Sequence, residues 1–168
     1  PMRSVNWAQY QISEIRLLGF RNIYMGNDDI KLLAKAIELA KTHHAGVFDK
    51  GGHPYIEHPL RLMENMDTNE EKMVAVMHDL VEDTHITIAY LRSAGFSEKV
   101  LSALDCVTNR DNEDYESFIE RIAQNPLATK VKLADLEDNM DLSRISEPSK
   151  KDYKRIEKYK RAKTRLSL

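Results

Sequence analysis

The 168 residues are sufficient for one domain with its own hydrophobic core, so neither disulfides nor structural zinc are needed to stabilise it. A composition of 42% hydrophobic and 31% charged residues is typical of an ordered globular protein and excludes a disordered chain. The formal net charge of −2 argues against nucleic-acid or membrane-surface binding, and no apolar run has the length of a membrane span. The single cysteine, Cys106, fits a reducing, cytoplasmic setting.

Helical patterns account for the chain from residue 27 onward. Asn27 and the two following aspartates cap a helix that extends to about His44, with apolar residues at helical spacing. A glycine-bearing loop continues to Tyr55, and Pro59 occupies the first turn of a short helix through Met66. Further helices are predicted over about residues 69–83, 87–93, 97–107, 114–124, 126–143 and 149–165. No strand pattern or internal repeat is evident, which predicts a compact all-α domain.

Residues 1–26 form a predicted N-terminal extension, and residues 27–168 form the predicted domain. Pro1, which precedes Met2, is interpreted as a remnant of tag cleavage. Apolar residues between Trp7 and Phe20 indicate an amphipathic helix, which either packs on the core or serves in dimerisation. The sequence therefore leaves open whether the protein forms a homo-oligomer.

The most informative motif is the run from Met77 to Thr84, which contains a His-Asp pair followed by two carboxylates. In a helix, residues four apart lie on one face, so Glu82 is expected near His78 and Asp83 near Asp79. A metal held by the first pair would have carboxylates beside the water that it binds. This arrangement favours hydrolysis.

Two other segments offer further ligands. His58 stands just before Pro59 at a helix start, and Asp135 interrupts an otherwise apolar helical register. A buried aspartate is costly unless it is paired or bound to metal, and Asn139 shares its helix face. Two imidazoles and two carboxylates form a mixed nitrogen and oxygen set, which suits manganese, iron or zinc.

The order of these residues along the chain, a histidine, then a His-Asp pair, then a distant aspartate, resembles that of the HD-domain metal phosphohydrolases. The finer pattern is similar to the (p)ppGpp hydrolase domain of the RelA/SpoT family, particularly the small stand-alone alarmone hydrolases. The resemblance covers about residues 30–160, and it implies a single HD-domain helical bundle with the metal site between helices. The segments that carry it are Lys50–Pro59, His78–Thr84, Lys132–Asp135 and Asn139–Met140.

The resemblance also implies roles for individual residues and a small-molecule nucleotide as substrate. It assigns the hydrolytic step to Glu82 and Asp83. It implies that a divalent metal, usually manganese, is held by His58, His78, Asp79 and Asp135. It implies contacts with the nucleotide by Lys50, Asn139, Arg155 and Tyr159.

Two positions depart from the family pattern. Asp49 stands where family members commonly have a basic residue, and an acidic side chain cannot stack on a base as arginine does. Leu136 replaces a basic residue that often follows the metal-binding aspartate. We therefore expect a (p)ppGpp 3′-pyrophosphohydrolase, with two alternatives: hydrolysis of another nucleotide, such as an adenosine alarmone, NADPH or a deoxynucleotide, or a non-catalytic nucleotide-binding module.

Overall fold

Helices alternate with short loops throughout the computed structural model, which describes residues 27–145 and 147–168. A 3₁₀ turn, Leu142–Arg144, precedes the last helix. Within these residues, the only extended pairing is an isolated antiparallel bridge between Phe48 and Pro54. The helices are α1 Asn27–His43, α2 Glu57–Glu64, α3 Asn69–Met77, α4 Leu80–Asp83, α5 Ile88–Ser93, α6 Glu98–Val107, α7 Tyr115–Ala123, α8 Pro126–Met140 and α9 Lys150–Leu166. The predicted all-α class is confirmed, whereas the predictions for residues 1–26 lie outside the described residues.

Side-chain caps explain why most helices begin where the sequence predicts. Thr68 accepts a hydrogen bond from the Glu71 N–H at 3.2 Å, and the Glu71 carboxylate accepts one from the Thr68 N–H at 3.1 Å. This reciprocal pair satisfies N–H groups that have no partner inside the helix. The same capping position is held by Thr87, Ser97, Asp114, Asn125 and Ser149.

Helix α3 lies at the centre of the domain and packs against α1, α2, α6 and α8. Its last five residues, Met73–Met77, are all buried, as expected for a helix that is surrounded by others. This packing directs the carboxyl end of α3 into the interior, where His78 follows. No helix among residues 27–145 and 147–168 is both long and apolar enough to cross a bilayer.

The helical segment that carries the His-Asp pair is interrupted, although the sequence predicted one continuous helix. Helix α3 ends at Met77 and α4 begins at Leu80, with Asp79 at φ −98° and ψ −4°. This bridge region of backbone conformation is frequent at active sites. Because of the break, α3 remains in the core, whereas the carboxylates of α4 are exposed to solvent. The Asp83 N–H still donates to the Asp79 carbonyl at 2.9 Å, so those two residues keep the expected spacing.

Candidate metal centre and adjoining cavity

Three buried side chains from three helices converge in the interior. His58 comes from the first turn of α2, His78 follows α3, and Asp135 lies on α8. Each offers one ligand atom, and the three atoms lie within 4.8 Å of one another. The Asp135 Oδ1 atom is 3.2 Å from His58 Nε2 and 3.7 Å from His78 Nε2. Such a buried group can hold a metal ion.

Asp79 lies beside this group. Its Oδ2 atom is 2.9 Å from His78 Nε2 and accepts a short hydrogen bond from the Tyr55 hydroxyl. Burial disfavours the charged carboxylate, but His78 and the Tyr55 hydroxyl outweigh this effect and bring the pKa of Asp79 to about 2. Asp79 is therefore an anion at neutral pH, as a metal ligand must be.

The outer nitrogens of both imidazoles are held by acceptors, so the inner nitrogens face the cluster. His78 Nδ1 lies 2.9 Å from the Ala75 carbonyl, and a carbonyl can only accept, so Nδ1 carries the hydrogen. In the neutral ring, Nε2 then presents a lone pair to the carboxylates of Asp79 and Asp135. Among the described residues this buried nitrogen has no hydrogen-bond partner. A cation between these groups would satisfy the lone pair and both anions, so the donor set fits a metal.

His58 is oriented in the same way by a carboxylate. Its Nδ1 lies 2.7 Å from Asp138 Oδ2, and Asp138 also accepts from Arg61 Nε at 2.8 Å. Arg144 donates to the Asp138 carbonyl at 2.7 Å and to Oδ2 at 3.0 Å. Burial lowers the pKa of His58, but hydrogen bonds with Asp135 and Asp138 outweigh it and raise this pKa to about 9. A carboxylate behind a ligating histidine is a common feature of metal sites.

Asp135 is held by two neighbours on its own helix. Lys132 Nζ lies 2.7 Å from Asp135 Oδ2, and Asn139 Nδ2 lies 2.5 Å from Oδ1. Burial raises the pKa of Asp135, but the charge of Lys132 and the hydrogen bond with His58 outweigh it, and the net shift is downward. Asp135 thus stays charged in the interior, where an unpaired aspartate would be protonated.

The two carboxylates of α4 are exposed, and the α4 helix follows His78 and Asp79 directly in the chain. Glu82 Oε2 accepts a hydrogen bond from the Asn109 N–H at 2.9 Å, so the loop after α6 fixes its direction. Partial burial raises the pKa of Asp83, and the negative charges of Asp79 and Glu82 raise it further. Carboxylates with different environments can serve different roles in proton transfer.

A cavity of about 340 Å³ adjoins the cluster. Tyr55 and Asn139 line it, and these residues also contact Asp79 and Asp135. Three cationic side chains, Lys50, Arg144 and Arg155, line the cavity as well. Its volume is within the usual range for a small-molecule site, and its cations favour an anionic ligand.

Known proteins are similar to this chain, although no protein-family model matches it. The bifunctional (p)ppGpp synthase/hydrolase SpoT of Escherichia coli is 33% identical over 131 residues, which cover 70% of this chain and 19% of the relative. A guanosine-3′,5′-bis(diphosphate) 3′-pyrophosphohydrolase of Aquifex aeolicus is 32% identical over 120 residues, which cover 64% of this chain and 17% of the relative. The chain thus spans roughly a fifth of the length of these curated relatives.

A solved structure of a metazoan ortholog of SpoT that hydrolyses ppGpp has the same fold. It superposes with a TM-score of 0.69 over 85% of this chain and 87% of that one, at 19% identity. The chain is an HD-type, (p)ppGpp hydrolase-like domain.

In this hydrolase-like domain, the residues predicted from the sequence fall into three places. His58, His78, Asp79 and Asp135 gather in the interior. Glu82 and Asp83 are exposed on α4, which follows Asp79. Lys50, Asn139 and Arg155 line the cavity. Tyr159 is absent from the cavity wall: it packs against the core, with the Arg155 guanidinium 5.9 Å from its ring centroid.

The two departures from the family pattern have different consequences. Leu136 is 1% exposed and belongs to the hydrophobic core, so this substitution does not reach the cavity. Asp49 does line the cavity, and its Oδ1 accepts hydrogen bonds from the Gly51 N–H at 2.8 Å and the His53 N–H at 2.9 Å. The acidic residue at this position therefore stabilises the loop through two hydrogen bonds with its backbone.

Sequence reasoning missed several residues that contact or surround the candidate metal ligands. Tyr55 and Asp138 were not predicted, and His44 was interpreted as the end of a helix. His44 is in fact 3% exposed, with its ring centroid 5.0 Å from that of Tyr55, and burial lowers its pKa. Only Asp138 had a usable signal, because it lies three residues after Asp135 and so shares its helix face.

Proposed function

We propose that this chain is a metal-dependent (p)ppGpp 3′-pyrophosphohydrolase, which releases pyrophosphate and GDP or GTP. The observation that carries the proposal is the buried group of His58, His78 and Asp135, whose ligand atoms converge closely enough to hold a metal ion, beside a cavity lined by three cationic side chains. The named activities of the relatives support it.

In this proposal, His58, His78, Asp79 and Asp135 hold the metal. The mixed nitrogen and oxygen donors favour Mn²⁺ over a thiolate-seeking ion. When bound, such a cation acts as a Lewis acid that lowers the pKa of water and withdraws charge from phosphoryl oxygens. Tyr55 and Asp138 orient two of the ligands, because the Tyr55 hydroxyl donates a hydrogen bond to Asp79 and the Asp138 carboxylate bonds with His58 Nδ1.

Glu82 and Asp83 carry the proton transfers. Water attacks the phosphorus that is bonded to the ribose 3′ oxygen, and the bond between that phosphorus and the 3′ oxygen breaks. Glu82, fixed by the Asn109 N–H, takes the proton from the attacking water. Asp83, whose pKa is raised, supplies the proton that the leaving 3′ oxygen needs. Pyrophosphate and the nucleoside 5′-di- or triphosphate then leave.

The cavity binds the rest of the nucleotide. Lys50 and Arg155 both lie close to the buried carboxylate of Asp152, at 2.9 Å and 3.5 Å, which holds the two cations at the cavity wall. Asn139 connects the cavity to Asp135. Such a site suits a small polyanion, and the proposal places the protein in the cytoplasm with a nucleotide, rather than a nucleic acid, as its ligand.

Glu82→Gln tests the proton-transfer role. The amide keeps the size of the side chain but cannot accept a proton, so kcat should fall by about 10²- to 10⁴-fold. Metal content, measured by elemental analysis after dialysis against Mn²⁺, should be unchanged. Glu98→Gln is the matched control, since Glu98 is exposed on α6 and forms an ion pair with Arg92. An unaltered kcat in Glu82→Gln would remove Glu82 from the mechanism.

A second candidate is hydrolysis of a different nucleotide, and the acidic Asp49 at the cavity wall favours it. Incubation of the Mn²⁺-loaded protein with ppGpp, pppGpp, an adenosine alarmone, NADPH and deoxynucleotides distinguishes the two. The proposal requires the highest kcat/KM for a guanosine 3′-diphosphate.

A further inference from the structure

An exposed aromatic side chain stands at the edge of the cavity. Phe48 is 64% exposed and its neighbour Val47 is 46% exposed, and both line the cavity. The other large hydrophobic residues with comparable exposure in the described part of the chain, Tyr90, Tyr153 and Leu168, are not in its wall. We propose that Phe48 is the surface on which the purine base of the nucleotide stacks, an inference that rests on the proposed function.

The loop that presents Phe48 is held firmly by hydrogen bonds. Phe48 itself forms an antiparallel bridge with Pro54, the Asp49 N–H donates to the His53 carbonyl at 2.8 Å, and the Tyr55 N–H donates to the Val47 carbonyl at 2.9 Å. The Asp49 carboxylate adds its two hydrogen bonds within the same loop. A surface that is already ordered binds a ligand at a lower entropic cost than one that must be ordered on binding.

The loop is also fixed against the rest of the domain. A Cβ atom on Gly51 would lie 2.4 Å from the Arg144 carbonyl oxygen, so only glycine permits this close approach. Lys50 reaches across to Asp152 on α9. The loop therefore has contacts at both sides of the cavity, and Phe48 keeps its place relative to the cations.

The cavity wall offers both positive charge and apolar surface, and a nucleotide needs both. Lys50, Arg144 and Arg155 provide positive charge for phosphates, whereas Phe48 and Val47 provide a flat apolar edge. An aromatic ring stacks on any nucleobase, because every base has a flat π-face. The Asp49 carboxylate is tied to the loop backbone through its Oδ1 atom, and Phe48 is the exposed aromatic side chain at this edge of the cavity.

Calorimetric titration of the Mn²⁺-saturated full chain with GDP tests the inference without depending on turnover. Phe48→Ala should weaken GDP binding by about tenfold, from the loss of one base–aromatic stack. Phe48→Tyr should retain the wild-type affinity. Pyrophosphate, which has no base, should bind Phe48→Ala and wild type equally, and Tyr90→Ala should bind GDP as the wild type does.

Each outcome separates the inference from the proposed function. GDP affinity within twofold of wild type in Phe48→Ala overturns the inference, as does an equal loss of pyrophosphate binding, which would indicate a distorted loop. If Phe48→Ala selectively loses GDP but the wild type does not hydrolyse ppGpp, the base contact stands and the proposed function fails.

Discussion

Replacing Asp138 by asparagine tests whether the carboxylate behind His58 prepares the metal site. Both Asp138 oxygens act as acceptors: Oδ2 for His58 Nδ1, Arg144 and one Arg61 nitrogen, and Oδ1 for Arg61 Nε. An asparagine has one oxygen and one NH₂ group. In either amide orientation the NH₂ group faces an N–H donor, so the substitution disrupts at least one side of this network.

The magnitude follows from the geometry. His58 loses either its 2.7 Å charge-assisted hydrogen bond or the paired arginines that hold Asp138 in position. Removing such a partner of a metal-bound histidine typically lowers metal affinity by about 10- to 100-fold, which corresponds to about 1.4–2.7 kcal/mol. We expect Asp138→Asn to weaken Mn²⁺ binding within this range.

The assay is calorimetric titration of the metal-free protein with Mn²⁺, after circular dichroism has shown that the variant keeps its helical content. Asp141→Asn is the matched control. Asp141 also pairs with Arg144, at 3.3 Å, but it is about half exposed and does not contact His58. Affinity within twofold of wild type in Asp138→Asn, or an equal loss in Asp141→Asn, would refute the role assigned to Asp138.

Two substitutions, each paired with a control substitution at an exposed position, test the packing that positions the site. Leu104→Ala should lower the free energy of unfolding by about 2–5 kcal/mol, because Leu104 is fully buried, whereas Leu168→Ala, at a position 95% exposed, should have little effect in urea denaturation. Arg121→Met should lower it by about 3 kcal/mol, because Arg121 pairs with Glu113 and donates to three backbone carbonyls after or near the end of α6. Arg92→Met, which breaks an exposed pair, should leave the free energy of unfolding nearly unchanged by the same measurement, and equal losses for the two arginines would contradict the argument.

Much of the fold could be predicted because the signals are local. A cap such as Thr68 with Glu71 acts within one turn, so the sequence alone indicates where a helix begins. The break between Met77 and Leu80 has no such signal. It depends on how α3 packs among its neighbours and on the direction in which Asp79 must point, and both are tertiary effects.

The site shows the same division. His58, His78, Asp79 and Asp135 were predicted because their residue types and order resemble a known pattern, and the structure gathers them in one place. Their supports come from distant parts of the chain: Tyr55 lies 24 residues from Asp79 in sequence. Such pairings become visible only in the folded chain.

The exposed rim of the cavity could not be interpreted from the sequence either. Asp49 looked like a departure that weakened base recognition, since only its charge was visible. In the folded loop its Oδ1 atom accepts hydrogen bonds from two backbone N–H groups, and the neighbouring Phe48 presents an apolar surface. The sequence shows that a residue is charged, but it does not show which atoms of that residue have a local partner.

Product analysis with ppGpp tests the central claim most directly. The Mn²⁺-loaded protein is incubated with ppGpp and the products are separated by anion exchange, with pyrophosphate measured in parallel. The account predicts GDP and pyrophosphate in equal amounts, with turnover abolished by EDTA and restored by Mn²⁺. Release of orthophosphate in place of pyrophosphate, or no turnover of ppGpp by the metal-loaded protein, would contradict it.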